Sequence, residues 1–292
     1  MKTLLLILLP ALSFGQTIYK GGVINKKTKE KVPFATVALI RANTGTNADE
    51  VGQFILTTNG NKSLDTLIIS CVGYETLIMP ANKLPQTIEL DEKQTMLSNV
   101  SVASKLKWTS VKLHDRGCGD IGVTTNGFQT QIAQIFTTPF DNVILAEVEI
   151  CKSNLLFDTH KTLFRVRFYD MDTITKAPSV EICDEVIEVN TSSKKIKVNL
   201  EKYKIRVPHN FFVAIEWLKI PYNEDKETVT MNGKKQERIT YRPTITCDDA
   251  LHHGKPMERA MPPYDVWGLN YQNKWFPMTW IKNLSVSATV KY

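Results

Sequence analysis

Tyr264, Trp267, Tyr271, Trp275, Phe276 and Trp280 crowd into one short stretch near the C-terminus, interleaved with Gly268, Asn270, Gln272 and Asn273. Flat rings flanked by amides suit saccharides, because C–H faces stack on the ring while amides bond the hydroxyls. Trp267, Tyr271, Trp275 and Trp280 are therefore the candidate ligand-binding residues. The competing expectation is that these rings fill a core or staple a long loop to it. Other chemistry is thinner. None of His114, His160, His209, His252 and His253 is followed by Glu at the third position, and no H-E-x-x-H occurs. The metallopeptidase pattern, two close ligands and an open position for water, is therefore missing. His252-His253 beside Asp248-Asp249 is the one imidazole and carboxylate cluster to weigh as a metal site, and it reads as a polar loop. Asp170-Met171-Asp172 alternates carboxylates as a calcium loop does, but the loop's Gly and closing Glu are missing, which leaves a hairpin tip. There is no G-x-S-x-G elbow and no cysteine in the context of a catalytic thiol. No catalytic residue, cofactor or metal ligand is assigned. A hydrolase with an unrecognised site would need carboxylates such as Glu147, Glu149 or Glu216 to converge in one cleft.

The elements that carry these residues read as strands. Phe164, Val166 and Phe168 share one face against Arg165 and Arg167, and Ile196, Val198 and Leu200 share one against Lys195 and Lys197. One face buried and one solvated is the signature of antiparallel sheets. Further runs at 128–136, 142–151, 185–189, 211–218, 238–241 and 284–292 give about eight to ten strands, which favours a jelly-roll-like sandwich over 128–292. The basic runs at 194–197 and 202–206 read as solvated sheet faces. Between 17 and 103 short β-like runs fall at 36–40, 54–56, 66–72, 75–79, 87–90 and 100–102. Turn-forming 43–47 and 59–61 punctuate them, and the spacing predicts a seven-strand sandwich. The polar and Gly-rich stretch 104–127 reads as a linker plus the first edge of the next domain. The chain is thus expected to be all-β with two domains.

At 292 residues the chain allows one large domain or two of ordinary size, and two is the better expectation because single cores rarely grow past roughly 250 residues. Its 36 Lys+Arg against 30 Asp+Glu give a net charge of +6, scattered along the chain rather than gathered into a stripe, so no nucleic-acid partner is expected. Lys2 precedes an apolar run at 4–14 that ends in Ser13-Phe14-Gly15, the pattern of a secretory signal peptide over 1–15. That run is too short to cross a bilayer. No later run approaches that length, so the mature chain from Gln16 is expected to hold no transmembrane segment. No Cys stands at the cleavage point to take a lipid. An oxidising compartment permits disulfides, and five cysteines leave an odd thiol. Cys151 and Cys183 each close a strand-like run and form the candidate pair; Cys71, in an apolar run at 67–72, reads as a small core residue, and the pairing of Cys71, Cys118 and Cys247 stays open.

A resemblance runs through the first third. Gly22-Val23 opens an ordered series that continues with Val32-Pro33-Phe34-Ala35-Thr36-Val37, Asp49-Glu50-x-Gly52-x-Phe54-x-Leu56, Leu67-x-Ile69-Ser70-x-Val72-Gly73-Tyr74 and Ile88-x-Leu90. Over about 20–103 this resembles the carboxypeptidase regulatory-like domain. The resemblance implies a transthyretin-like β-sandwich of the kind abundant in exported and outer-membrane proteins of Bacteroidetes, including the N-terminus of TonB-dependent transporters. Too little chain follows for a plug and a large barrel, so a transporter is not expected. The motif positions are structural: Gly52 allows a tight hairpin, and Phe54 and Leu56 share one face. None supplies a nucleophile, base or ligand, so no peptidase activity follows from the family name.

The reading is a signal peptide at 1–15, a regulatory-like sandwich at 16–103, a linker at 104–127 and a C-terminal β-sandwich at 128–292. The expected function is an exported, non-catalytic binding or assembly module of the bacterial cell envelope, in the periplasm or at the outer membrane or cell surface. Its expected partner is an envelope protein or a glycan. The alternatives are a glycan-binding protein that uses the aromatic cluster, and the hydrolase named above.

Overall fold

The computed structural model describes residues 16–60, 63–93, 109–115, 117–119, 121–125, 127, 129–153, 160–231, 234–249 and 263–292. Residues 1–15, which read as a signal peptide, the expected strand at 100–102 and the His252-His253 pair lie outside them. Among the described residues the chain is all-β, with strands joined by turns and three single 3-10 turns.

Seven strands form a first unit: β1 (Gln16–Asn25), β2 (Thr36–Leu39), β3 (Thr44–Asn47), β4 (Gln53–Asn59), β5 (Thr66–Ser70), β6 (Leu77–Pro80) and β7 (Thr87–Leu90). They make a three-stranded sheet, β4-β1-β7, and a four-stranded sheet, β3-β2-β5-β6. Alternation decides which side chains point in: along β4, Phe54 and Leu56 are buried while Gln53, Ile55 and Thr57 are exposed. Both sheets contribute to one apolar cluster that includes Val23, Val37, Leu39, Phe54, Leu67, Ile69 and Ile88. Gly52 has φ +73°, and a Cβ there would stand 2.7 Å from the Val23 carbonyl oxygen, so the hairpin into β4 requires glycine. Residues 43–47 are not only a turn; most of them form β3. Their polarity has another cause, since β3 packs against the second unit.

Sixteen strands follow. They are β8 (Ser110–Leu113), β9 (Ile121–Thr125), β10 (Gln129–Thr137), β11 (Val143–Cys151), β12 (Thr162–Met171), β13 (Pro178–Glu181), β14 (Glu188–Thr191) and β15 (Lys195–Asn199). After them come β16 (Arg206–Val207), β17 (Asn210–Trp217), β18 (Glu224–Met231), β19 (Lys234–Asp249), β20 (Val266–Asn270), β21 (Trp275–Pro277), β22 (Ile281–Leu284) and β23 (Val286–Lys291). Every segment of 128–292 expected to be a strand contains one. The number exceeds the eight to ten expected because strands such as β13, β16, β21 and β22 span only two to four residues, too few to show a period. β8 and β9 fall inside 104–127, where the sequence reads as a linker and first edge; they pair with β23 and β19. Gly-rich turns and weak alternation hide them.

A seven-stranded sheet, β13-β12-β17-β10-β20-β21 with β14 beside β12, and a five-stranded sheet, β15-β11-β23-β8 with β16 beside β11, share the main core. Phe164, Val166, Phe168, Val213 and Ile215 enter that core from one sheet and Val148, Ile150 and Ala288 from the other. A four-stranded sheet, β18-β19-β22 with β9 beside β19, adds Val123, Ile245, Ile281 and Leu284. The disulfide joins Cys118 to Cys151, not Cys151 to Cys183. The end of β11 is reached by the segment just before β9, while Cys183 lies beyond the end of β13 on the other sheet.

The second face of the seven-stranded sheet departs from the expected solvated surface. Arg165 is 2% exposed, Gln131 6% and Glu216 7%, and Phe212 and Ala214 on the same face are fully buried. The outward residues Ala38, Ile68, Ser70 and Ile78 of the first unit's four-stranded sheet line the same cavity as Gln131, Arg167, Tyr169 and Glu216. Two sheet faces from different units therefore confront each other across a gap. Arg165 and Arg167 are covered because carboxylates on neighbouring strands replace the water they would otherwise hold.

Candidate functional site

A seam of specific contacts fixes the two faces along one side. The Lys219 backbone N–H donates to Asn47 Oδ1 at 2.8 Å, and the Asn47 N–H donates back to the Lys219 carbonyl at 3.4 Å. Lys219 Nζ donates to the Gly45 carbonyl at 2.7 Å and lies over the rings of Tyr241 and Tyr271. Gly45 is where the second unit presses closest. A Cβ there would sit 2.5 Å from Tyr271 Cε1 and 2.8 Å from the Val37 carbonyl oxygen. Gln272 Nε2 reaches the Ile40 carbonyl at 3.2 Å. Further along, Arg165 donates to the Pro33 carbonyl and stacks over Phe34, which packs with Leu163, Leu218 and Ile220. Burial pulls the Lys219 ammonium down to about 8, only partly opposed by Glu224.

Beside this seam the faces stand apart and enclose a cleft of about 540 Å³, inside the ~300–1,000 Å³ range of small-ligand sites. The sheet that forms its floor carries a charged ladder, of which Glu216, Gln131, Leu269 and Trp275 line the cleft. Cross-strand register places Glu188, Arg165, Glu216, Gln131, Leu269 and Trp275 side by side on five neighbouring pairings. One residue pair further along, Arg167 clamps the carboxylate of Glu181 with both Nε and Nη2 and holds Glu216 at 3.0 Å through Nη1. Arg165 binds Glu188 at 2.8 Å. Burial works against these guanidinium charges, but Glu216 and its neighbours hold both arginines above their usual range. The Tyr169 hydroxyl crosses the sheet to Gln131 Oε1 at 2.9 Å. Ala133 and Ala214 lie in the same cluster as Tyr169 and leave room for its ring. Burial pushes the Tyr169 phenol up, so it stays a neutral donor.

Trp275 stands at the cleft with its ring at 74° to Tyr169, centroids 5.2 Å apart. Asn270 and Asn273 line the cleft beside it. The opposite wall mixes apolar Ala38, Ile68 and Ile78 with the hydroxyl-bearing Thr36, Ser70 and Thr76. Cys71 also borders the cleft, and burial pushes its thiol up, away from a reactive thiolate.

The candidate residues from the sequence separate into three groups. Tyr271 and Trp275 line the cleft. Trp267 is packed against Ala133, Tyr169 and Phe212 beneath it, with its indole N–H on the Tyr264 carbonyl at 3.0 Å, so it serves as structure. Trp280 is exposed and not part of the cleft wall. Glu147, Glu149 and Glu216 do not meet: Glu147 and Glu149 sit on β11 of the five-stranded sheet, Glu216 on β17 of the other. Lys112 and Lys195 hold Glu149 at 3.3 and 3.0 Å and, against the opposing effect of burial, below the usual carboxylate range. Asp172 accepts the N–H groups of Ile174 and Thr175 at an exposed hairpin tip. Among the described residues no three His, Cys, Asp or Glu side chains gather as a metal site. Sequence reasoning missed Gln131, Arg167 and Glu181, whose partners lie on strands distant in sequence.

Residues 19–102 match the family model of the CarboxypepD_reg-like domain, which covers the first unit. No curated protein matches the chain.

Proposed function

We propose, with residues 19–102 as a CarboxypepD_reg-like domain, that this protein is an exported, non-catalytic binding module of the bacterial cell envelope and that the cleft between its two units is the binding site. In this reading the first unit is a transthyretin-like sandwich that forms one wall, and the second is a jelly-roll-like sandwich that forms the floor. The observation that carries it is the cleft itself: two sheet faces held apart at a fixed seam, with polar and aromatic groups between them. The non-catalytic part rests on the state of its ionisable groups. Glu181 and Glu216 are both occupied by Arg167, which leaves neither as a ready base or nucleophile. Export rests on the pattern at 1–15. No helix of the described residues is long and apolar enough to cross a membrane.

Two measurements test this. Cell fractionation with N-terminal sequencing is expected to find the chain outside the cytoplasm and starting at Gln16; a cytoplasmic chain that retains Met1 would refute export. Purified protein incubated with chromogenic ester, glycoside and peptide substrates is expected to give no turnover. Turnover abolished by Glu216→Gln would refute the non-catalytic reading.

A further inference from the structure

We propose that the cleft takes an uncharged saccharide, with Trp275 as the stacking platform; this rests on the reading of the cleft as a binding site. Three observations converge. Gln131 is 6% exposed and faces the cleft; its Oε1 is taken by the Tyr169 hydroxyl, while its amide nitrogen has no hydrogen-bond partner among the described residues. That nitrogen opens onto the cleft, so it can donate to a ligand acceptor or to water. Second, the charges that line the cleft balance: Arg167 and Lys93 stand against Glu181 and Glu216, and Arg167 is already shared between the two carboxylates. A charged ligand would have to break that sharing, whereas hydroxyl groups can join it as both donors and acceptors.

Third, the middle of each wall is a sheet face built from interior strands, β12, β17 and β10 on one side and β2 and β5 on the other, with the edge strands β13, β21 and β6 also contributing. The backbone groups of those interior strands are spent on their neighbours, so the central faces give an extended peptide little of the main-chain pairing that usually supplies its affinity. What the faces do offer is a half-exposed indole at Trp275, the amides of Gln131, Asn270 and Asn273, and small apolar contacts from Ala38 and Ile68. Ring C–H faces and hydroxyls on one molecule match that combination.

The test is titration of the mature chain, followed by tryptophan emission and calorimetry, with maltohexaose, laminarihexaose, xylohexaose and chitohexaose as neutral probes. Oligogalacturonate and a neutral hexapeptide are the contrasting probes. At least one neutral oligosaccharide is expected to bind saturably, with little loss in about 0.5 M salt. Trp275→Ala is expected to weaken that binding about tenfold or more, with Trp275→Phe in between. Both variants are checked for an unchanged thermal unfolding profile. Ala38→Trp, which fills the cleft from the opposite wall, is expected to abolish it. If no neutral oligosaccharide binds at about 10 mM, the saccharide inference is overturned. If only the oligogalacturonate or the peptide binds and Ala38→Trp abolishes that binding, the cleft remains a binding site and the saccharide inference alone falls. If a probe binds with Ala38→Trp and Trp275→Ala both without effect, the inference and the reading of the cleft fall together.

Discussion

Lys219 gives the seam a measurable pH dependence. Its ammonium is buried between Tyr241 and Tyr271, donates to the Gly45 carbonyl and titrates at about 8, against an ordinary value of 10.5. A depression of that size means the folded state carries the charge at a cost of about 3 kcal/mol near neutral pH. The unfolded chain keeps Lys219 protonated up to its higher ordinary value. Between about pH 8 and 10.5 the unfolded state therefore binds more protons, and this residue makes the protein more stable as pH rises. The contribution is full above the unfolded value and lost as pH falls through about 8. Other lysines and tyrosines titrate in the same range, so the observable is the difference between the parent and Lys219→Met. Urea unfolding followed by tryptophan emission from pH 7 to 10 measures it. Relative to Lys219→Met, the parent is expected to gain up to about 3 kcal/mol over that window, because the neutral amine keeps its bond to Gly45. A difference that stays flat across the window, or falls, would refute the placement of this ammonium in a desolvated seam.

Arg167→Met leaves Glu181 and Glu216 buried without their cation, and is expected to cost about 3–5 kcal/mol in urea unfolding. Adding Glu181→Gln and Glu216→Gln should recover much of that loss; a cost below about 1 kcal/mol for Arg167→Met would show that the network is solvated. The Cys118–Cys151 bridge closes a loop with a sequence separation of 33 and is expected to stabilise by about 4 kcal/mol. Thiol titration of the denatured, unreduced parent should find three thiols, from Cys71, Cys183 and Cys247. Cys118→Ser should raise that count by one, whereas a Cys151–Cys183 bridge would make the same substitution lower it by one.

Strand alternation was sufficient to read the inward faces. Phe164, Val166 and Phe168 all enter the main core, as do Ile196 and Leu200. It misled for Arg165 and Arg167, because a charge at the alternate position looks the same whether water or a carboxylate on another strand satisfies it. Their partners, Glu188, Glu181 and Glu216, are set by sheet register, which no local pattern encodes. One local signal did exist. Residues 211–217 are apolar on both alternating sets except for Glu216, and an unbroken run of that kind marks a strand covered on both faces. The aromatic cluster was legible by residue type but not by role. Trp267 and Trp275 are eight positions apart, yet β20 carries one into the packed layer while the short return strand β21 leaves the other at the cleft. Likewise Asn43-Thr44-Gly45-Thr46-Asn47 has turn composition for two reasons: Asn43, at φ 45°, closes the turn after β2, while Gly45 and Asn47 meet Tyr271 and Lys219.

The same energetics explain why the two faces do not close. On the first unit's wall, full burial of Ile68 and Ile78 would contribute about 1.5–3 kcal/mol each. That wall offers Lys93 and the hydroxyls of Thr36, Ser70, Tyr74 and Thr76 but no amide or carboxylate, so closure would strip water from Gln131, Arg167, Glu181 and Glu216 in exchange for few charge-matched partners. An unmatched buried amide costs about 1–3 kcal/mol, and each further desolvated ion several more. The polar side of the balance wins, and the gap is the lower-energy arrangement. Tyr271 against Gly45 acts as a spacer at the seam, since the ring occupies the space a narrower separation would need. The cleft is thus preformed, and an occupant does not have to open it. An occupant would meet the Gln131 amide with an acceptor, the floor with hydroxyl-like partners and Trp275 with an apolar surface.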